Sequence, residues 1–220
     1  MLSARSSRAS RLLEELRALR SQAIVKLTAL RKLAAEGKLA AALSWIEDFV
    51  QSDEKLVVFA HHRAVQTAIV ELFPDSARIL GTDSLEAREA NVLRFQAEDG
   101  PALCVCSMEA ASQGFTLTAS ANVAFLELAW TPAKHDQAED RVHRIGQDRG
   151  VTAWYLLAAD TIDERLARLL DEKRAVVDAV ADGREAEGGA LVGELLREMV
   201  GGLSYERPTR RSLPHAPATS

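Results

Sequence analysis

The chain has few of the residues and segments that mark several common classes of protein. It holds only two cysteines, Cys104 and Cys106, among 220 residues. No second cysteine pair or neighbouring histidine completes a zinc-binding set, so the sequence assigns no metal ligands. We expect the strand that carries the two thiols to keep their side chains apart. They are interpreted as small buried hydrophobic residues of a protein from a reducing compartment.

Long apolar runs are also missing. No stretch approaches the roughly 18 apolar residues of a membrane-spanning helix. The arginine-rich start is not followed by the apolar block of a secretory signal. We therefore expect no membrane partner and a cytoplasmic location, associated with the nucleoid if the protein is bacterial.

A positive net charge is absent, since the chain carries −5. Residues 1–20 carry a net +3 and residues 201–220 a net +2, which leaves −10 on the residues between them. Broad, non-specific affinity for nucleic acid needs many contacts to phosphates, and an acidic body argues against it. Any nucleic acid should therefore bind in a local groove.

Short apolar runs rich in β-branched residues alternate with helical patterns. The runs lie at 55–62, 77–80, 102–107, 122–128 and 151–160, and the helical patterns at 38–51, 64–72, 84–96, 132–145 and 162–181. This alternation predicts an α/β fold with a parallel sheet and helices on both faces. Thr161 and Glu164 form a capping box for the last helix, and Gly146 is expected to end the helix before it.

The chain divides into four segments by composition. Residues 1–37 read as a basic helical lead-in or linker, and 38–182 as the α/β lobe. Residues 183–202 read as a flexible joint and a short helix, and 203–220 as a disordered tail. Ligands of such a sheet bind beyond the carboxyl ends of its strands.

Two arginines and a glutamine recur at helical spacing. Gln137, Arg141 and Arg144 fall at i, i+4 and i+7 of the pattern at 132–145. Guanidinium groups on one stripe match phosphate oxygens. Alternatively, Asp140 pairs with Arg144 and Glu139 with His143 on an ordinary charged face. Spacing alone favours this second interpretation, because charged helix faces are common.

An ordered set of motifs resembles one family. "QAEDRVHRIGQ" is similar to motif VI of the Swi/Snf-type helicase-like ATPases, a branch of helicase superfamily 2, and "KLVVFAHHRAVQ" is similar to motif IV. "RILGTDSLEAREANVLRFQ" is similar to the segment that follows motif IV, and the run from Ser107 to Gln147 resembles motifs V and VI run together. "VTAWYLLAADTIDERLARLLDEKRAVVDAV" resembles the closing strand and brace helix. The blocks "FAHH", "FLELAWTP" and "QAEDRVHRIGQ" resemble most the annealing-helicase (HARP-like) branch, or a bacterial relative of it.

The resemblance implies a RecA-like C-terminal lobe and assigns its site residues. It makes Arg141 and Arg144 catalytic arginine fingers that reach the γ-phosphate of ATP. It places Gln137, Gly114 and Thr116 at the nucleotide. Motif V departs from the family pattern, with Ala111 and Ser112 for two glycines and Thr116 for an asparagine.

The resemblance also implies DNA as a partner, bound without sequence specificity. Its candidate contacts are His62, Arg63, Thr82 and Ser107. For His62 a purely structural role is the alternative.

The resemblance further implies that catalysis requires a first lobe, with ATP bound between the two lobes. The sequence holds no Gly-x-x-x-x-Gly-Lys-Ser/Thr loop, because Gly37 and Lys38 are followed by Leu39 inside a helical pattern. We therefore expect ATP and Mg²⁺ to bind only together with an N-terminal helicase lobe, in cis or in trans. The main hypothesis is the second lobe of a DNA-dependent ATPase and translocase that remodels or anneals DNA. The alternative is a stand-alone, non-catalytic module that binds DNA or a partner.

Overall fold

A computed structural model describes residues 2–181 of the chain. The joint and short helix predicted at 183–202 and the tail predicted at 203–220 lie outside the described residues. In chain order the elements are α1 (Leu2–Val50), β1 (Leu56–Ala60), α2 (Arg63–Leu72), β2 (Ala77–Ile79), α3 (Leu85–Gln96), β3 (Leu103–Ser107), a short 3-10 helix (Ala110–Gln113), β4 (Asn122–Phe125), α4 (Pro132–Val142), β5 (Thr152–Tyr155) and α5 (Ile162–Ala181).

The five strands form one parallel sheet in the order β2-β3-β1-β4-β5. Every residue of the three inner strands is buried. Strands read as continuous apolar runs when helices cover both of their faces, and the α/β prediction, including the weak strand at 77–80, is confirmed.

Two apolar clusters lie on opposite faces of the sheet. One cluster includes Phe59, Phe125 and Phe95 and lies on the face that α3 and α4 cover. Ile46 and Ile69, from α1 and α2, pack on the other face. Burying one such side chain contributes roughly 1.5–3 kcal/mol, so both helical layers are held to the sheet by apolar burial.

The N-terminal helix runs past the boundary predicted between residues 37 and 38. The pattern at 38–51 is the end of the 49-residue α1. Leu27 and Ala34, both on the predicted lead-in, pack with Leu166 and Leu169 of α5. Part of the lead-in therefore belongs to the packed lobe.

Charged side chains of α1 are also buried against the lobe. The Arg31 guanidinium donates to the carbonyl of Leu128 and lies 4.4 Å above the Trp130 ring. Lys38 Nζ lies 2.5 Å from Asp163 Oδ2 and 2.6 Å from the Leu156 carbonyl oxygen. These contacts connect α1 to the segment after β4 and to the start of α5.

Two local expectations are wrong. Helix α4 ends at Val142 rather than at 145, and Gly146, with φ +102°, lies in the turn that follows. Cys104 and Cys106 are buried and free, as expected of small hydrophobic residues, but their sulfurs lie only 3.7 Å apart. Residues two positions apart on a strand share a face, so the strand does not separate these thiols.

Within residues 2–181, no helix is long and apolar enough to cross a membrane. The same residues contain no group of three or more histidine, cysteine or acidic side chains that could hold a metal ion.

Candidate functional site

Four of the predicted site residues meet where α4 ends. Arg144 Nη1 donates to the Gly114 carbonyl oxygen at 3.0 Å and to Thr116 Oγ1 at 2.8 Å. Arg141 Nη1 lies 3.7 Å from where a Cβ on Gly114 would be. We call Arg141, Arg144, Gly114 and Thr116 the α4-end cluster.

The loop after β3 is bonded to the end of α4 through the backbone. Leu117 N donates to the Arg141 carbonyl oxygen at 2.7 Å. Gln147 Nε2 donates to the carbonyl oxygens of Thr118 and Ser120 at 3.1 and 2.6 Å. Gly114 has φ +79°, a backbone conformation that glycine adopts without strain. Sequence reasoning missed Gln147, although it is the last residue of the quoted motif VI block.

The predicted helical stripe of three residues does not form as such. Arg144 lies beyond Val142, in the turn, and reaches the cluster from there. Gln137 is exposed on α4, and its carbonyl oxygen accepts from Arg141 Nε at 3.1 Å. The alternative charge pairs, Asp140 with Arg144 and Glu139 with His143, are not among the ion pairs formed by residues 2–181.

Glu139 instead connects α4 to α5 and β5. Its Oε1 accepts from Tyr155 Oη at 2.7 Å and from Arg174 Nη2 at 3.1 Å. The same Arg174 nitrogen lies 3.0 Å from Asp136 Oδ1 and 3.0 Å from Tyr155 Oη. Burial, followed by the bond to Glu139, raises the pKa of Tyr155 above its ordinary value. The network holds the helix that carries Arg141 in position.

A buried histidine connects the core-facing side of α4 to the segment before the helix. His135 is 1% exposed, and its Nε2 accepts from Ala129 N at 2.9 Å. Burial and the nearby charge of Arg174 lower the pKa of His135 to about 4. The ring is therefore neutral at pH 7 and serves as a hydrogen-bond acceptor inside the core.

A second group lies at the carboxyl ends of β1 and β4. Glu127, 4% exposed, accepts through Oε2 from the backbone N–H groups of His61 and His62, each at 2.8 Å. Its other oxygen is hydrogen-bonded to His62 Nδ1. Sequence reasoning missed Glu127; its only signal was an acidic residue within the apolar block "FLELAWTP".

The remaining predicted DNA contacts differ in exposure. Arg63 is exposed at the start of α2, and Thr82 is exposed in the loop after β2. Arg88 steadies that loop, because its guanidinium donates to the Leu80 and Gly81 carbonyl oxygens at 2.9 and 3.0 Å. Ser107, in contrast, is 3% exposed, and its Oγ accepts from a backbone N–H of the 3-10 helix at 3.2 Å. The Ser107 hydroxyl is therefore buried and stabilises the start of the 3-10 helix.

The model of the helicase conserved C-terminal domain matches residues 37–146 of the chain. The DNA annealing helicase and endonuclease ZRANB3 of Homo sapiens is 36% identical over 173 residues, which are 76% of this chain and 16% of that protein. The SWI/SNF-related matrix-associated actin-dependent regulator of chromatin subfamily A-like protein 1 of Xenopus tropicalis is 39% identical over 148 residues, which are 65% of this chain and 16% of that protein. The chain thus spans about a sixth of the length of these relatives.

A solved structure shares the fold. The crystal structure of the C-terminal part of the Fun30 ATPase domain superposes with a TM-score of 0.58 at 20% identity, covering 75% of this chain and 53% of that one. The matched domain includes the loop with Gly114 and Thr116 and the whole of α4. The chain therefore belongs to the family of helicase conserved C-terminal domains, as a RecA-like C-terminal lobe of the Swi/Snf type.

Proposed function

We propose that this chain is the arginine-finger lobe of a DNA-dependent ATPase that translocates on, remodels or anneals DNA. The names of the relatives, an annealing helicase and a Swi/Snf-related regulator of chromatin, support this class of activity. The observation that carries the proposal is the α4-end cluster, in which two motif VI arginines lie beside the loop that holds Gly114 and Thr116.

The cluster suits the terminal phosphate of ATP. Arg144 is exposed, and its present partners are a neutral carbonyl and a hydroxyl. Phosphate oxygens are stronger acceptors for a guanidinium than either of these. Arg144 is therefore free to exchange its bonds for a phosphate without leaving a buried charge unpaired.

The described residues do not suit Mg²⁺ in the same way, because they form no group of three metal-ligating side chains. In this proposal a first lobe with a phosphate-binding loop holds the metal, and ATP supplies the phosphoryl group that is transferred. Residues of this chain bind and stabilise negative charge on that group. Removing such an arginine costs about 10³–10⁵ in rate.

The test is an ATPase assay of this chain joined to the first lobe of its own ATPase, in the presence of duplex DNA. We expect Arg141→Ala and Arg144→Ala each to lower kcat by at least about 10³, with DNA affinity unchanged. Arg149→Ala is the matched control, since Arg149 is exposed, follows the same turn and lies 3.9 Å from Glu54, away from the cluster. Wild-type turnover in both cluster variants would refute the finger role. DNA binding without ATPase activity in any pairing would identify a binding module instead.

A further inference from the structure

A groove between α1 and the start of α5 shares no residue with the α4-end cluster. The groove has a volume of about 900 Å³, and Leu30, Leu33 and Ala34 line it from the α1 side. These three positions fall at i, i+3 and i+4, so they lie on one face of the helix. Leu30 is 40% exposed and Leu33 is 63% exposed. Large apolar side chains exposed together along one groove are typical of a surface that another segment covers.

The opposite wall of the groove carries charged side chains at defined positions. Arg165 and Arg168 of α5 line this wall at i and i+3, and both are exposed. Asp160 and Glu164 also line the groove, nearer to the start of α5. The ammonium of Lys38 is already held in its buried ion pair. A segment that combines an apolar stripe with two carboxylates one helical turn apart would therefore fit both walls.

The sequence at 191–200, LVGELLREMV, has this combination. The segment lies outside the described residues, and its pattern predicts a short helix. Glu194 and Glu198 fall at i and i+4 beside an apolar half, and Arg197 lies opposite the centre of that half. A helix this short is marginal in water unless another surface buries its apolar face. At about 100° per residue, the apolar half consists of Leu191, Val192, Leu195, Leu196, Met199 and Val200.

The chain is long enough to bring this segment back to the groove. Helix α5 ends at Ala181, and the part of it between Arg168 and Ala181 is roughly 20 Å long at about 1.5 Å per residue. Residues 182–190 can span up to roughly 30 Å when extended. A segment that returns over this distance runs antiparallel to α5. In that direction its two carboxylates come beside the two arginines of the groove.

We infer that residues 191–200 form a helix that occupies the groove between α1 and α5 of the same chain. Its apolar half covers Leu30 and Leu33, and its carboxylates pair with Arg165 and Arg168. The contact holds α1 to α5 from the outside, in addition to the buried ion pair of Lys38. This inference goes beyond the proposed function and does not depend on it, because it involves no residue of the α4-end cluster.

The test measures the reaction of an introduced thiol with dithiobis-nitrobenzoate in the full chain. Leu33→Cys places the thiol in the groove, and Lys32→Cys, on a neighbouring position that is 58% exposed, is the matched control. The native cysteines are buried and free, so their reaction is read separately in the unsubstituted chain. We expect Leu33→Cys to react on the order of tenfold more slowly than Lys32→Cys, because the docked helix covers it.

A second substitution shows which segment gives the protection. Leu196→Asp, added to Leu33→Cys, should raise its rate to that of Lys32→Cys, and Met199→Asp should do the same. Arg197→Asp lies on the polar half and should leave the protection unchanged. Equal rates for Leu33→Cys and Lys32→Cys in the full chain would show an open groove and overturn the inference. Protection that survives both Leu196→Asp and Met199→Asp, or that disappears on dilution, would assign the groove to another segment or to a second copy and also overturn it. The ATPase assay judges the finger role separately.

Discussion

The ion pair between Lys38 and Asp163 makes a quantitative prediction about how α1 is attached. The lysine side chain is 9% exposed and the carboxylate 6%. Lys38→Met removes the ammonium, so Asp163 keeps the Ala158 N–H at 3.2 Å and the Leu156 carbonyl loses a donor. Removing one partner of a buried pair costs roughly 3–5 kcal/mol. We expect a loss of about 3 kcal/mol in the free energy of unfolding.

Urea unfolding followed by circular dichroism measures this loss, and thermal unfolding should show a fall of roughly 6–12 °C in Tm at 2–4 °C per kcal/mol. Lys32→Met is the matched control. Lys32 lies on the same helix, 3.6 Å from Glu36, with the two side chains 58% and 48% exposed. Such an exposed pair contributes about 0.5 kcal/mol or less. The double variant Lys38→Met/Asp163→Leu should recover much of the loss. Equal effects of Lys38→Met and Lys32→Met would refute the reasoning that a buried pair holds α1 to the lobe.

Two further predictions concern His135 and Gly114. Because the pKa of His135 is lowered to about 4 in the folded state, its contribution to stability is fully present above its unfolded pKa of about 6.5 and lost as pH falls towards 4. Between about pH 7 and about pH 5, wild type should lose about 2 kcal/mol more than His135→Gln in urea unfolding, and parallel pH profiles would contradict the assignment. Gly114→Ala should lower stability by about 1 kcal/mol, because its φ is +79°. A Cβ added at Gly37 in helix α1 would meet no atom within 4 Å. Gly37→Ala should therefore raise stability by about 0.5–1 kcal/mol, measured by the same thermal unfolding. Equal Tm shifts for the two variants would show that the backbone at Gly114 is unstrained.

The elements of the lobe were predictable because their signals are local. A parallel strand that is buried on both faces favours apolar side chains at most positions. β1, β3 and β4 show such runs, with Ser107 and Asn122 as the polar exceptions. The start of α4 was also predictable, because Pro132 occupies the first turn of the helix. Local patterns of this kind do not depend on which strand pairs with which.

Helix ends and polar contacts depended on distant partners. Helix α4 ends three residues earlier than its apolar pattern suggested, where the Arg141 carbonyl accepts from Leu117 N in another loop. The helical pattern at 132–145 contains no signal that predicts this hydrogen bond. Arg144 consequently reaches Gly114 and Thr116 from a turn rather than from the predicted stripe.

The sequence was therefore sufficient to predict the α/β class and the order of the elements, and the family resemblance supplied the arginines proposed for the candidate site. Periodicity and ordered motifs are properties of neighbouring residues, and they survive in the unfolded chain. The tertiary structure decided which charges are buried. Lys38 meets Asp163 across 125 positions, and Glu127 meets His62 across 65. The sequence around Glu127 does not indicate its partner, because His62 comes close only when β1 and β4 pair in the sheet. The His62–Glu127 contact and the packing of α1 on the lobe were therefore decided by the tertiary structure.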